Sequence, residues 1–267
     1  MSNTAQSLAG KRIEALLDEN SFVEIGSCVT ARSTDFNLSE KETPSDGVIT
    51  GYGVIDGSLV YVYSQDASVL NGTIGEMHAK KIVRLYELAM KTGAPVIGLV
   101  DCAGFRLQEA TDALNAFGEI YAKQVAASGV IPQITGIFGT CGGGLAVMPG
   151  LTDFTFMEEK KAKLFVNSPN ALDGNEISKC DTSSAKYQSE ESGLADVTGS
   201  EDEIIAKMRE LVSLLPSNYE DNSAYVEGTD DLNRVCPELV NCAGDTSIAL
   251  SLLADNQEFF EVKADYA

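Results

Sequence analysis

The residues with the clearest chemical potential are Gly139-Thr140-Cys141-Gly142-Gly143-Gly144, entered from the apolar run Ile134-Thr135-Gly136-Ile137-Phe138. A short apolar strand that empties into consecutive glycines can turn sharply and bring bare backbone N–H groups close to a ligand. A helix starting at about Gly143 would leave its first N–H groups without intrahelical partners and partially positive. Such a corner binds anions. In an enzyme it can hold the oxygen of an enolate or a tetrahedral intermediate without any catalytic side chain. A phosphate loop is a poorer match, because Leu145-Ala146 stands where a Lys-Ser or Lys-Thr pair belongs. The dinucleotide pattern G-x-G-x-x-G lacks its acidic partner after a following strand. Glycines that only permit tight helix packing explain the local run equally well.

Other reactive residue types are spread thinly. His78, the one histidine of the chain, lies in Gly75-Glu76-Met77-His78-Ala79-Lys80-Lys81, with no serine or cysteine nucleophile motif to partner it. Packing or hydrogen bonding is therefore expected of it ahead of general-base catalysis. Lys80 and Lys81 read as surface residues, one of which could meet a ligand phosphate. Arg106, Gln108 and Glu109 follow a small-residue loop that starts at Asp101. Arg106 is either a phosphate or nucleotide contact or the partner of Glu109 in a helix's first turn. Cys141 has no neighbouring base in sequence, so a small packed residue is expected there ahead of a reactive thiol.

The elements that must position these residues follow from periodicity. A helix is expected from about Thr4 to Leu17, then a strand at Phe22–Ile25 and a polar loop at Arg32–Phe36. Between Gly47 and Ser64 two β-branched runs flank Asp56-Gly57, a hairpin turn signal. Helical spacing from Gly75 to Lys91 is ended by Thr92-Gly93-Ala94-Pro95. Two similar units follow: Val96–Val100 opens into Asp101–Arg106 and a helix to about Ser128, and Ile134–Phe138 opens into the glycine corner. Strands alternating with helices predict an α/β layered domain. Asn170 to Ser192 is polar and unassigned. Ser200-Glu201-Asp202-Glu203 is a capping box for a helix through Leu215, stopped by Pro216. Ser217 to Asp231 reads as an acidic, exposed linker.

Bulk properties narrow the function classes. The 267 residues are 44% apolar and carry a formal charge of −21, which argues against nucleic-acid binding through phosphates. An anionic ligand needs local positive features to overcome that field. No run of about 18 apolar residues suggests a membrane span, and the N-terminus lacks signal-peptide features. The six cysteines form no C-x-x-C pair, so a zinc site is not expected and a reducing, cytoplasmic setting is.

The end of the chain echoes its beginning. Leu16-Leu17-Asp18-Glu19-Asn20-Ser21-Phe22-Val23-Glu24-Ile25 matches Leu253-Ala254-Asp255-Asn256-Gln257-Glu258-Phe259-Phe260-Glu261-Val262, each as helix end, turn and F-[VF]-E-[IV]. Chance similarity is one explanation. The other is a chain that begins a second copy of its own fold.

Taken together, the segments resemble the carboxyltransferase subunit of biotin-dependent acyl-CoA carboxylases and decarboxylases. That group contains propionyl-CoA carboxylase β chains and the methylmalonyl-CoA and glutaconyl-CoA decarboxylase α chains. The likeness rests on Asp46–Gly53, Ser64-Gln65-Asp66, Gly75–Lys81, Gly93–Leu99, Arg106–Glu109, Ala127–Ile134, Gly139–Pro149, Leu214–Asn218 and Glu258–Glu261, in order along the chain. It implies an α/β, crotonase-like spiral of ββα units. In such a fold the first half binds acyl-CoA and a second half binds carboxybiotin. It also implies that Gly143 and Gly144 donate N–H groups to the thioester oxygen, about 3–4 kcal/mol of barrier per donor. Ala103-Gly104-Phe105-Arg106 would lie along CoA, with Gly142 beside it. Three departures stand out. Phe105 replaces a small residue, and Thr140–Leu145 alters the family's P-C-A-G-G-A. Asn170–Ser192 lacks the family's E-E-L-G-G-A segment.

The resemblance therefore predicts an acyl-CoA-binding half of a split carboxyltransferase. Residues 1–231 would form the N-terminal-type domain, and 232–267 a linker and the start of a second half. Carboxybiotin would release CO2, its nitrogen would take or return the α-proton, and the enolate would meet CO2 at Gly143–Gly144. Biotin would arrive on a partner biotin carboxyl carrier protein, and this chain would bind no metal. A second carboxyltransferase subunit would complete a hetero-oligomer, with a hexamer of halves as one arrangement, and a membrane decarboxylase subunit is compatible with it. Two alternatives remain open: a stand-alone crotonase-like hydratase, isomerase or hydrolase using Glu109 or Glu119 as base, and a non-catalytic scaffold.

Overall fold

The computed structural model describes residues 7–32, 42–222, 231, 233–242 and 244–266. Expectations for Thr4–Gln6, Ser33–Phe36 and the 223–230 part of the linker lie outside the described residues. Eight strands form one sheet: β1 (Val23–Ile25), β2 (Val48–Ile55), β3 (Ser58–Gln65), β4 (Val96–Cys102), β5 (Gln133–Gly142), β6 (Phe154–Glu158), β7 (Lys163–Phe165) and β8 (Val197–Gly199). Their order is β1-β2-β3-β4-β5-β6-β8, with β7 paired to β5 off that path. The hairpin β2–β3 closes through Asp56 (φ 49°) and Gly57 (φ 84°), the primed turn whose twist suits antiparallel strands. From β3 onward all pairings are parallel.

Parallel strands need crossovers, and α2 (Glu76–Thr92) and α3 (Ala110–Ala127) supply them on one face. Thus β2–β3–α2 is one ββα unit, and β4–α3 repeats its strand-to-helix step. Ile82, Leu85 and Ala89 of α2 and Phe117 and Ile120 of α3 pack with Val96 and Val100 of β4. The opposite face of β4, Ile97 and Leu99, packs with α1 (Leu8–Leu16) and α6 (Glu201–Leu214). Burial on both faces explains why Val96–Val100 is apolar without alternation. The capping box at Ser200 forms in both directions.

Three expectations need correction. β5 does not stop at Phe138; Thr140, Cys141 and Gly142 continue it, because β7 lies beside them and supplies partners for their backbone groups. The helix expected at Gly143 is instead a 3-10 turn, Gly143–Ala146, followed by a single α turn, α4 (Val147–Gly150), that ends at Gly150. Ser217–Asp221 is not a free linker. The Asn218 amide donates to the Gly93 carbonyl (2.8 Å) and the Tyr219 N–H to the Val130 carbonyl (3.1 Å).

Asn170–Ser192 begins within a 3-10 turn, Pro169–Ala171, and contains a short helix, α5 (Ala185–Glu190). The internal echo extends to the backbone. α1 and α7 (Thr246–Leu253) both end on an extended residue, Leu17 and Ala254, and the matched positions Asn20 and Gln257 both take positive φ (59° and 63°). The second copy forms no strand among the described residues, whereas β1 pairs with β2.

Candidate active site

The ends of β4 and β5 lie side by side, with Cys102 in register with Cys141. The loop after β4 and the bend after β5 therefore share the C-terminal edge of the parallel strands, where open α/β sheets bind ligands. Gly142 is extended, Gly143 takes φ +64°, and the 3-10 turn begins there. In such a turn the first internal bond is donated by the third residue, so the N–H groups of Gly143 and Gly144 have no acceptor within it. Being short, the turn brings little macrodipole; these N–H groups act as individual dipoles.

The glycines of the run are glycines for different reasons. A Cβ on Gly139 would lie 2.0 Å from the Asp101 carboxylate, and one on Gly142 would lie 2.7 Å from the Phe165 ring. Packing accounts for both. On Gly144 it would meet the Tyr121 hydroxyl at 3.3 Å, and on Gly143 nothing within 4 Å. Gly143 is required by its left-handed backbone, and no described residue fills the space beside it.

Beside this bend runs Ala103–Arg106. Its backbone is tied to the segment before α2: the Ala103 N–H donates to Asn71 O (3.1 Å), Ile74 N–H to Gly104 O (2.9 Å) and Arg106 N–H to Ile74 O (2.8 Å). Ala103 and Phe105 are exposed, whereas Gly104 and Arg106 are buried. Gly104 takes φ +110°, and a Cβ there would stand 3.9 Å from the Gly142 carbonyl oxygen.

The Arg106 side chain points inward. Its Nη1 lies 2.7 Å from Asp46 Oδ1 and 2.9 Å from Glu109 Oε1, and Nη2 donates to the Thr73 carbonyl (2.7 Å), with no exposure. Of the two readings open in the sequence, the pairing with Glu109 is therefore formed. A contact with CoA at this position would use the backbone rather than the guanidinium. The other Glu109 oxygen accepts the Glu76 N–H (2.7 Å), so both its oxygens are committed and it is poorly placed as a base. Glu119 is exposed on α3 and accepts from Asn115.

His78 belongs to the same buried cluster. Its Nδ1–H donates to the Asp46 carbonyl (2.9 Å) and its Nε2 accepts from the Gln65 amide (3.2 Å). Burial first, and then the Arg106 charge, lower its pKa to about 3, so the ring is neutral and structural. Burial holds the Asp46 carboxyl up at about 6 against the pull of Arg106. Lys81, expected on the surface, is 7% exposed and donates to the carbonyls of Ser45 and Val48. Lys80 is exposed and paired with Glu76 (2.6 Å). Cys141 is fully buried and burial raises its pKa well above the usual thiol value, which suits a packed residue. Sequence reasoning did not single out Asp46, Thr73, Tyr121 or Phe165, whose roles come from distant segments; only the Arg106–Glu109 spacing was visible locally.

The carboxyl transferase domain family matches residues 3–267. The chain is 41% identical to the methylmalonyl-CoA decarboxylase subunit alpha of Veillonella parvula over 97% of this chain and 53% of that protein. It is 38% identical to the propionyl-CoA carboxylase beta chain of Roseobacter denitrificans, over 97% and 53%. Among solved structures, transcarboxylase 12S with hydrolysed methylmalonyl-coenzyme A bound superposes with a TM-score of 0.92 at 32% identity, covering 97% of this chain and 52% of that one. The fold is thus the α/β, crotonase-like fold of carboxyltransferases. The chain spans about half the length of the relatives it matches. Among the described residues, no helix is long and apolar enough to cross a membrane.

Proposed function

Since the chain belongs to the carboxyl transferase domain family, we propose that it is the acyl-CoA-binding half of a split biotin-dependent carboxyltransferase. The observation that carries this reading is the open, left-handed Gly143 at the strand edge, beside the loop Ala103–Arg106. An acyl-CoA laid along that loop would bring its thioester to the bend. There the N–H groups of Gly143 and Gly144 would receive the oxygen as the thioester becomes an enolate, each supplying about 3–4 kcal/mol. The donors are backbone and fixed by the turn, so they need no reorganisation as charge develops.

Carboxybiotin is a co-substrate in this reading, delivered on a partner carrier protein, and no residue of this chain is assigned to it. A second subunit would contribute the biotin side of the site, and residues 232–267 would begin the corresponding second half. The relatives include both a decarboxylase and a carboxylase subunit, and an enolate held at the bend would serve transfer in either direction. A stand-alone hydratase, isomerase or hydrolase would need a free carboxylate at the thioester. Glu109 is tied to Arg106 and the Glu76 N–H, which favours the carboxyltransferase reading.

The test is carboxyl transfer by this chain with its complementary half, a carboxylated biotin carrier and short acyl-CoAs. Transfer is expected, and Gly143→Ala should lower kcat/KM at least about tenfold, by straining the left-handed bend and by placing a methyl group beside its N–H donors. A fully assembled complex that transfers nothing and binds no CoA ester would leave the scaffold reading in its place.

A further inference from the structure

The glycine bend is held at both ends, and its two holders come from outside the run itself. On the strand side the Phe165 ring lies against Gly142, close enough that a Cβ there would stand 2.7 Å from the ring. On the far side Tyr121, half-buried on α3, donates its hydroxyl hydrogen bond to the Gly144 carbonyl oxygen. That same oxygen also accepts the Val147 N–H. The Tyr121 ring is itself seated by Phe117 one turn earlier, with centroids 5.9 Å apart. Between the two holders sits Gly143, with no neighbour for a Cβ within 4 Å among the described residues.

A carbonyl held by two donors cannot rotate freely, and neither can the peptide plane that carries it. Fixing the Gly144–Leu145 plane from one side and Gly142 from the other leaves the intervening planes, which carry the Gly143 and Gly144 N–H groups, little freedom of direction. Donors aimed before the reaction are what makes backbone N–H groups effective toward a developing charge. We propose that Tyr121 is a positioning residue: its hydroxyl fixes the Gly144 carbonyl and so aims the N–H groups of the bend at the acyl-CoA thioester oxygen. This rests on the acyl-CoA reading above for its substrate, but not for the clamp itself. Three consecutive glycines would otherwise form a floppy segment, since glycine has the largest conformational freedom to lose.

The test separates the two claims. Tyr121→Phe keeps the ring and its contact with Phe117 and removes only the hydroxyl. In the full chain without ligand, NMR should show the Leu145, Ala146 and Val147 amides exchanging with heavy water about five- to tenfold faster, with the melting temperature shifted by about 2–4 °C at most. Replacing Tyr121 with monofluorinated tyrosine, a stronger donor of similar size, should slow the same amides; this arm decides the matter if the Phe variant does not fold. With acetyl-CoA labelled at the thioester carbonyl carbon, the variant should bind with near-native affinity but show a smaller downfield shift of that carbon. Amide exchange unchanged by either replacement would overturn the proposal. So would a carbonyl shift identical in wild type and variant. Faster exchange in the variant, together with no acetyl-CoA binding by wild type, would keep the clamp and sink the acyl-CoA reading.

Discussion

Arg106 brings a full positive charge to a point with no exposure to water, and two carboxylates and a carbonyl meet it there. Removing one partner of such a cluster strands the others. Arg106→Ala should therefore cost about 3–5 kcal/mol in urea unfolding, because Asp46 and Glu109 would remain buried without their counter-charge. A variant of native stability that had lost CoA affinity would instead assign the guanidinium to the ligand. His78 gives a pH-dependent check. Its folded pKa, about 3, lies below the ordinary 6.5, so its contribution is present above pH 6.5 and is lost as pH falls toward 3. Between pH 7 and pH 5 that loss is about 2 kcal/mol, at 1.36 kcal/mol per unit. Asp46, raised to about 6, works in the opposite sense, favouring the fold as it takes up a proton below that pH. His78→Asn, which keeps a donor near the Nδ1 position, should remove only the histidine's share. Urea curves of variant and wild type should then differ in their pH 7 to pH 5 change by about 2 kcal/mol, the variant faring better in acid. Parallel pH profiles would mean that the ring titrates in the folded protein as it does in the unfolded chain.

At the scale of elements, α3 does two things at once. Its inner face packs Ala113, Phe117 and Ile120 into the core, while Tyr121 reaches the glycine bend. Its outer face carries Leu114, Gly118, Tyr121 and Val125 at helical spacing, with Leu114 56% and Val125 59% exposed. Gly118 sits mid-helix, where a Cβ would meet nothing within 4 Å. Among the described residues nothing calls for a glycine there, and Gly118→Ala should stabilise the isolated chain by about 0.5–1 kcal/mol in thermal or urea unfolding. Destabilisation would show that position 118 is packed within the chain itself. The β4 and β5 ends show the converse case, in which pairing decides an element's length. Thr140–Gly142 would be a loop on sequence grounds, yet β7 holds it as strand. That is why the bend starts at Gly143 rather than at Gly139.

For the molecule as a whole, the charge of −21 sets the long-range field. Under the proposed acyl-CoA function the ligand is itself a polyanion, so its approach would be opposed until local N–H dipoles and cations take over. Raising ionic strength from about 20 to 200 mM should therefore increase the association rate of an acyl-CoA, by about threefold or more in stopped-flow measurements. A rate that falls with salt would indicate a positive track along the CoA path. Much of this protein is legible in its sequence. The hairpin at Asp56-Gly57, the capping box at Ser200, the helix stop at Gly93 and the strand-to-glycine corner are written in neighbouring residues, because turn chemistry and periodicity act over a few positions. The Asp46–Arg106 pair, the Phe165 ring on Gly142, the Tyr121 bond to Gly144 and the inward turn of Lys81 could not be read that way. Each joins segments far apart in sequence, and only the register of the sheet and the packing of helices on it decide which of them meet.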